Sequence, residues 1–136
     1  MPAKFLFLSI QQIDLLHLEV LKQFGGADGL RDRGLLESAL EMPRATFDGK
    51  LLHKNLSAIA AAYLFHICRN HPFIDGNKRV ALGAALIFIE VNGGTIRASD
   101  DELERLTIGV ASSEINKDAV TIFFRRRVKA RRWPCL

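Results

Sequence analysis

Two segments of this chain, Leu56 to Cys68 and Val80 to Ile89, are apolar almost all the way round. A helix with no polar face has to be buried, so the pair predicts the centre of a helical domain. Between them runs His71-Pro72-Phe73-Ile74-Asp75-Gly76-Asn77-Lys78-Arg79, a short connection held on a rigid base. Joining two core helices needs only a stop and a restart, which Pro72 and Gly76 supply. The connection also carries an imidazole, a carboxylate, a carboxamide, an ammonium and a guanidinium. That is more chemistry than a turn requires.

The flanking sequence predicts further helices. Ser9 with Gln12 forms a capping-box pattern, and Ile10, Ile13, Leu16, Val20 and Phe24 continue at helical spacing to Gly25-Gly26. Leu35, Leu36, Ala39 and Leu40 mark a short second helix ending before Pro43, and residues 44–55 read as a loop or flap. The two central helices are expected at 55–69 and 77–91, the second stopping at Asn92-Gly93-Gly94. Ser99 with Glu102 repeats the capping box ahead of Leu103, Leu106 and Val110. Asn116 can cap a last helix with Val120, Phe123 and Phe124 inward and its arginines outward. Lys4 to Leu8 and Thr95 to Arg97 are β-prone and are expected to pair. The fold class is therefore all-α, about six helices with at most a short two-stranded β piece.

At 136 residues the chain is expected to form one domain spanning 1–136, and its 49% hydrophobic content suits a globular core. The longest apolar run, Val80 to Ile89, is half of the roughly 20 residues that cross a bilayer, so no membrane span is expected. Two cysteines, Cys68 and Cys135, make no disulfide framework, which points to the cytoplasm. The net charge of +4 is concentrated in Arg125, Arg126, Arg127, Lys129, Arg131 and Arg132; without them 13 bases face 15 acids. Any affinity for nucleic acid would belong to that tail. A solvated helix end favoured by the dipole is the plainer reading of Arg125 to Arg132.

With a helix starting near Asn77, the N–H groups of the Gly76 to Arg79 turn face the connection and favour an anion. Lys78 and Arg79 add charge suited to phosphate. Asp75 is a hard oxygen ligand suited to a magnesium ion that keeps most of its water. His71 can accept a proton from a hydroxyl nucleophile at neutral pH. Each residue also has a quieter role: Asp75 as a helix cap, Lys78 and Arg79 as solvated first-turn charges, His71 as a buried histidine, Phe73 as an aromatic anchor. Zinc at His66, Cys68 and His71 is disfavoured, because no second ligand pair accompanies them. The Gly-x-x-x-x-Gly-Lys-Ser/Thr spacing of a phosphate loop is absent.

His71 to Arg79 resembles the core motif of the Fic/Doc superfamily, and of its death-on-curing (Doc) toxin branch in particular, His-x-Phe-x-Asp-Ala/Gly-Asn-Lys-Arg. Gly29-Leu30-Arg31-Asp32, Leu35-Leu36-Glu37-Ser38-Ala39-Leu40 and the Asn92-Gly93 stop carry the likeness further, fading after about Glu114. The resemblance implies a Fic fold, ATP with magnesium as donor, and transfer to a protein hydroxyl. It implies His71 as general base, Asp75 as metal ligand, and Gly76, Asn77, Lys78 and Arg79 as the phosphate-binding turn. Doc-like toxins phosphorylate a threonine of elongation factor Tu, and a separate antitoxin neutralises them through a C-terminal helix. The expected function is thus that of a toxin kinase.

The adenylylating branch carries Gly-Asn-Gly-Arg and a second arginine three residues on, where this chain has Lys78 and Leu82. No glutamate is followed by glycine or asparagine, as self-restraining members require, so inhibition is expected from another chain. Fic-type adenylylation of a protein hydroxyl is the alternative reading. A non-catalytic toxin acting on RNA or the ribosome through its basic tail is another.

Overall fold

The computed structural model describes residues 5–130. Lys4, Arg131, Arg132 and Cys135 lie outside the described residues. Six helices follow in order: α1 Ile10–Phe24, α2 Arg33–Glu41, α3 Leu56–Asn70, α4 Asn77–Val91, α5 Asp100–Ala111 and α6 Lys117–Arg127. The all-α expectation and the six helices are borne out.

The local reasons are those the sequence supplies. Ser9 and Ser99 both complete reciprocal capping boxes, with Gln12 and Glu102. Asp32, Asn55 and Asn116 each accept a backbone N–H at the start of α2, α3 and α6. The side chains of Ile59, Tyr63, Leu64 and Ile67 on α3 and Val80, Ala84, Phe88 and Ile89 on α4 are all buried. These two helices form the middle of the core, so the connection between them is fixed at both ends. Among the described residues no helix is long and apolar enough to cross a membrane.

The β structure differs from expectation in two places. Gly94–Ile96 (β3) pairs with Val128–Ala130 (β4), the end of the chain, with Thr95 opposite Lys129. Phe5 to Leu8 is not its partner. That segment is held by side chains: Asn92 Oδ1 accepts the Leu6 N–H at 2.7 Å, Asn92 Nδ2 donates to the Leu6 carbonyl at 3.0 Å, and Tyr63 Oη accepts the Leu8 N–H at 2.9 Å. These side-chain bonds take the Leu6 groups and the Leu8 N–H that a strand ladder would otherwise use. The second difference lies in residues 44–55, where Thr46–Phe47 (β1) and Lys50–Leu51 (β2) form a tight hairpin. Asp48 and Gly49, with φ of 55° and 77°, make its two-residue turn, an Asp-Gly pairing suited to two positive φ values.

Two side-chain placements also differ. Arg127 is not a solvated outward arginine: it pairs with Glu102 at 3.0 Å and lies 3.8 Å above the Phe123 ring. Helix α4 is not buried all round, since Leu82 and Leu86 are half-buried and Ile87 is exposed. The open face borders a cleft.

Candidate active site

The connection is built from α3 outward. His71 ends α3 in a left-handed conformation, with φ 51° and ψ 55°, and its side chain is exposed. It is therefore no buried structural histidine. Pro72 and Phe73 turn inward; both are buried. The stretch Gly29 to Asp32 lies alongside: the Arg31 and Asp32 N–H groups donate to the Pro72 carbonyl at 2.7 and 3.0 Å, and the Ile74 N–H donates to the Gly29 carbonyl at 3.0 Å. The Arg31 guanidinium adds bonds to the His71 and Asn70 carbonyls at 2.7 and 2.9 Å. The connection is thus tied down as if it were a strand.

Asn77 closes the turn from within. Its side-chain oxygen accepts the Phe73 N–H at 2.9 Å and its amide donates to the Phe73 carbonyl at 2.8 Å. The side chain is buried and bonded through both its oxygen and its amide to Phe73, so it braces the turn. Gly76 precedes it at φ 84°, a left-handed conformation that favours glycine.

Gly76 is the N-cap of α4, and no side chain caps that helix. The other five described helices all have a side-chain cap. The exposed carboxylate of Asp75 does not take the role: its oxygens accept the Gly76 N–H at 3.1 Å and the Ala27 N–H at 3.2 Å. The helix-cap reading of Asp75 is therefore incorrect. Gly26 is what allows this approach, because a Cβ there would stand 2.9 Å from Asp75 Oδ2. The first N–H groups of α4 are left for a ligand, with the helix dipole behind them.

Asp75, Gly76, Asn77, Lys78 and Arg79 all line one cleft of about 610 Å³ between α1, α4 and α5. Its walls are apolar: Leu16, Val20 and Phe24 on α1, Leu82 and Leu86 on α4, Leu103 and Ile108 on α5. Asp100 and Glu104 stand at the α5 side, and the Arg79 guanidinium lies 4.2 Å above the Phe24 ring. His71 does not line this cleft. The five turn residues are brought together, with His71 at the other end of the connection.

Residues 7–89 match the Fic/DOC family. The chain belongs to the Fic/DOC family. Among its relatives, the protein named Toxin Doc of Mycolicibacterium smegmatis (strain ATCC 700084 / mc(2)155) is 39% identical over 99 residues, covering 71% of this chain and 76% of that one. The Protein kinase doc of Escherichia phage P1 is 34% identical over 119 residues, covering 88% of this chain and 93% of the phage protein.

For a Fic/DOC protein the donor set around Asp75 matters, because the resemblance implies magnesium. Asp75 presents one carboxylate, and each oxygen keeps a free lone pair after its single N–H bond. Among the described residues no group of three or more His, Cys, Asp or Glu is placed to hold a metal. One carboxylate suits a magnesium ion whose other ligands are water and substrate phosphates. The residues fit that role and no tighter one.

Sequence reasoning missed His17. It is buried at 4% exposure, its Nε2 is 2.9 Å from the Asp75 carbonyl, and its ring stacks on Phe73 at 3.9 Å and 12°. The signal was present: His17 falls on the buried stripe of α1 between Ile13 and Val20, an unexpected place for an imidazole.

Proposed function

We propose that this Fic/DOC chain is the toxin of a toxin–antitoxin pair and a protein kinase, transferring the γ-phosphate of ATP to a threonine of elongation factor Tu and so blocking translation. The supporting observation is the uncapped N-terminus of α4, opening into the cleft between Asp75 and the Lys78 and Arg79 side chains. The names of the two relatives, a toxin and a protein kinase, agree with it.

In this reading the Gly76 to Arg79 turn binds the phosphates through backbone N–H groups, and Lys78 and Arg79 balance their charge. Asp75 would hold the magnesium ion, which when bound would supply positive charge against the phosphates. His71, exposed and fixed through its backbone by Ile67 and Arg31, takes the proton from the attacking hydroxyl. Phosphoryl transfer depends mainly on placement and charge stabilisation, and a turn tied at both ends provides placement.

The partner antitoxin is proposed to seat a helix in the cleft. Leu16, Val20, Leu82, Leu86 and Ile108 offer an apolar floor, and Asp100 with Glu104 would receive basic residues on the helix flank. A helix seated there reaches the phosphate turn, so neutralisation and nucleotide access are linked. The test is intact mass of elongation factor Tu after incubation with the protein, ATP and magnesium. A phosphoryl increment on a threonine supports the kinase reading, an adenylyl increment replaces it with the adenylylating one, and an unmodified target removes both.

A further inference from the structure

Phe24 is the last residue of α1 and continues the apolar line of Leu16 and Val20 along the cleft, yet it is 58% exposed. It belongs neither to the core nor to the residues packed against it. What covers its ring is Arg79, whose guanidinium carbon stands 4.2 Å from the ring centre. Both residues line the cleft.

Arg79 is itself in an unfavourable place. As the third residue of α4, directly after Lys78, it puts a cation at the positive end of the helix dipole. Asp100 and Glu104 line the same cleft, but the ion pairs among the described residues join Arg33 to Asp14 and Glu37, and Arg127 to Glu102. Arg127 also lies over a ring, Phe123, at 3.8 Å; there the ring is half-buried and Glu102 takes the charge. At Phe24 both partners are exposed and no carboxylate is paired with the guanidinium.

Stacking on a ring occupies one face of a guanidinium and leaves its N–H edge free. Helical side chains lean toward the N-terminus, which for Arg79 is toward the uncapped start of α4 at Gly76. The ring stands on a firmly stopped helix, because Gly25, at φ 79°, closes α1 with its N–H on the Leu21 carbonyl at 2.8 Å. Just beyond, the Ala27 N–H meets Asp75 Oδ2, so the end of α1 touches both sides of the α4 start.

We propose that Phe24 is a positioning residue: its ring holds the Arg79 guanidinium beside the open end of α4, with the N–H edge free to meet a phosphate of a bound polyphosphate. The proposal rests on the phosphate turn put forward above. Without the ring, the long Arg79 side chain has to be ordered when the anion binds, and that entropy is taken from affinity. Phe24 itself touches no reacting atom.

Binding of inorganic tripolyphosphate to the full-length protein with magnesium, measured by calorimetry, reads the anion site without any transfer. Phe24→Leu keeps an apolar wall and is expected to weaken binding about two- to five-fold, the size of an exposed contact between a cation and a ring. Phe24→Tyr keeps the ring and should bind as the unmutated chain does. In an Arg79→Gln background F24L should have no further effect, since the group it serves is gone. Equal weakening by F24L in both backgrounds makes the ring a mere wall of the cleft and overturns the proposal, as does full affinity in F24L. Coupled binding without transfer to any protein hydroxyl sinks the kinase reading alone. No binding of tripolyphosphate by the unmutated protein removes the phosphate turn and the role of Phe24 together.

Discussion

His17 Nε2 lies 2.9 Å from the backbone carbonyl of Asp75, so α1 fixes the peptide that leads into the start of α4. The same ring stacks on Phe73, which anchors the other half of the turn. Two contacts from one side chain thus hold the connection at Phe73 and at Asp75, on either side of Ile74. Removing the ring leaves a carbonyl without its partner and a gap against Phe73.

His17→Ala is therefore expected to destabilise the protein by about 2 to 4 kcal/mol, from the lost hydrogen bond and the lost buried ring. His17→Gln keeps a donor but no stacking plane. It should recover more of the transfer activity than of the stability. Urea unfolding and the transfer rate, measured on both variants, separate the two contributions. Equal recovery of both would reduce His17 to a packing residue.

His71→Ala should leave the fold nearly unchanged, since the side chain is exposed and the links to Ile67 and Arg31 are through the backbone. The transfer rate should fall by about 10² to 10⁴, the usual contribution of a general base. Asp75→Ala should respond to added magnesium, with part of its defect eased at high metal concentration. A defect in D75A that ignores metal would move Asp75 from ligand to turn builder, through the Ala27 and Gly76 N–H groups it accepts.

Stability should depend on acid through His66. Its folded value is about 4 against an ordinary 6.5, so the folded state binds the proton less tightly than the unfolded chain. The contribution is complete above about pH 6.5 and is lost as pH falls through the window toward 4. A shift of this size corresponds to about 3 kcal/mol, and partial exposure of the ring reduces it to about 1 kcal/mol. The groups facing the ring are Lys117 and His53, with Asp118 beside Lys117. Urea midpoints across this window should fall with pH in the unmutated protein and fall less in His66→Gln.

The helices were legible because their signals are local. Ser9 with Gln12 and Ser99 with Glu102 fix two starts by reciprocal hydrogen bonds within four residues, and α1 and α4 begin and end where expected. The partner of β3 was not legible, because the Asn92 side chain takes both Leu6 backbone groups and β3 pairs instead with Val128–Ala130. The cleft was hidden for a related reason. An apolar face made by Leu82 and Leu86 looks the same in sequence whether it packs on a neighbour or waits for a ligand. At the site, the charged residues of the motif stood out, while Asn77 as the clamp of the turn and His17 as its brace emerged only from contacts across the fold.

On the proposed kinase reading, Lys78 is expected to set the direction in which ATP lies. It lines the cleft in the first turn of α4, at the place where the adenylylating branch of the family carries a second glycine. In that branch the bare turn can cradle the diphosphate end and leave the α-phosphate facing the hydroxyl. A lysine side chain crowds such a cradle, and its ammonium instead attracts the terminal phosphate toward the start of the helix. Lys78→Gly removes both the obstruction and the charge. A glycine in the first turn costs about 0.5 to 1 kcal/mol, small against the stability of a folded domain. Loss of one charged contact to phosphate, about 1.5 to 3 kcal/mol, lowers phosphorylation about 10- to 100-fold. Some adenylylation of the same target should emerge as the nucleotide gains its second orientation. Intact mass of the target distinguishes the two products on one sample, and a K78G protein that phosphorylates at the unmutated rate would show that the lysine does not orient the nucleotide.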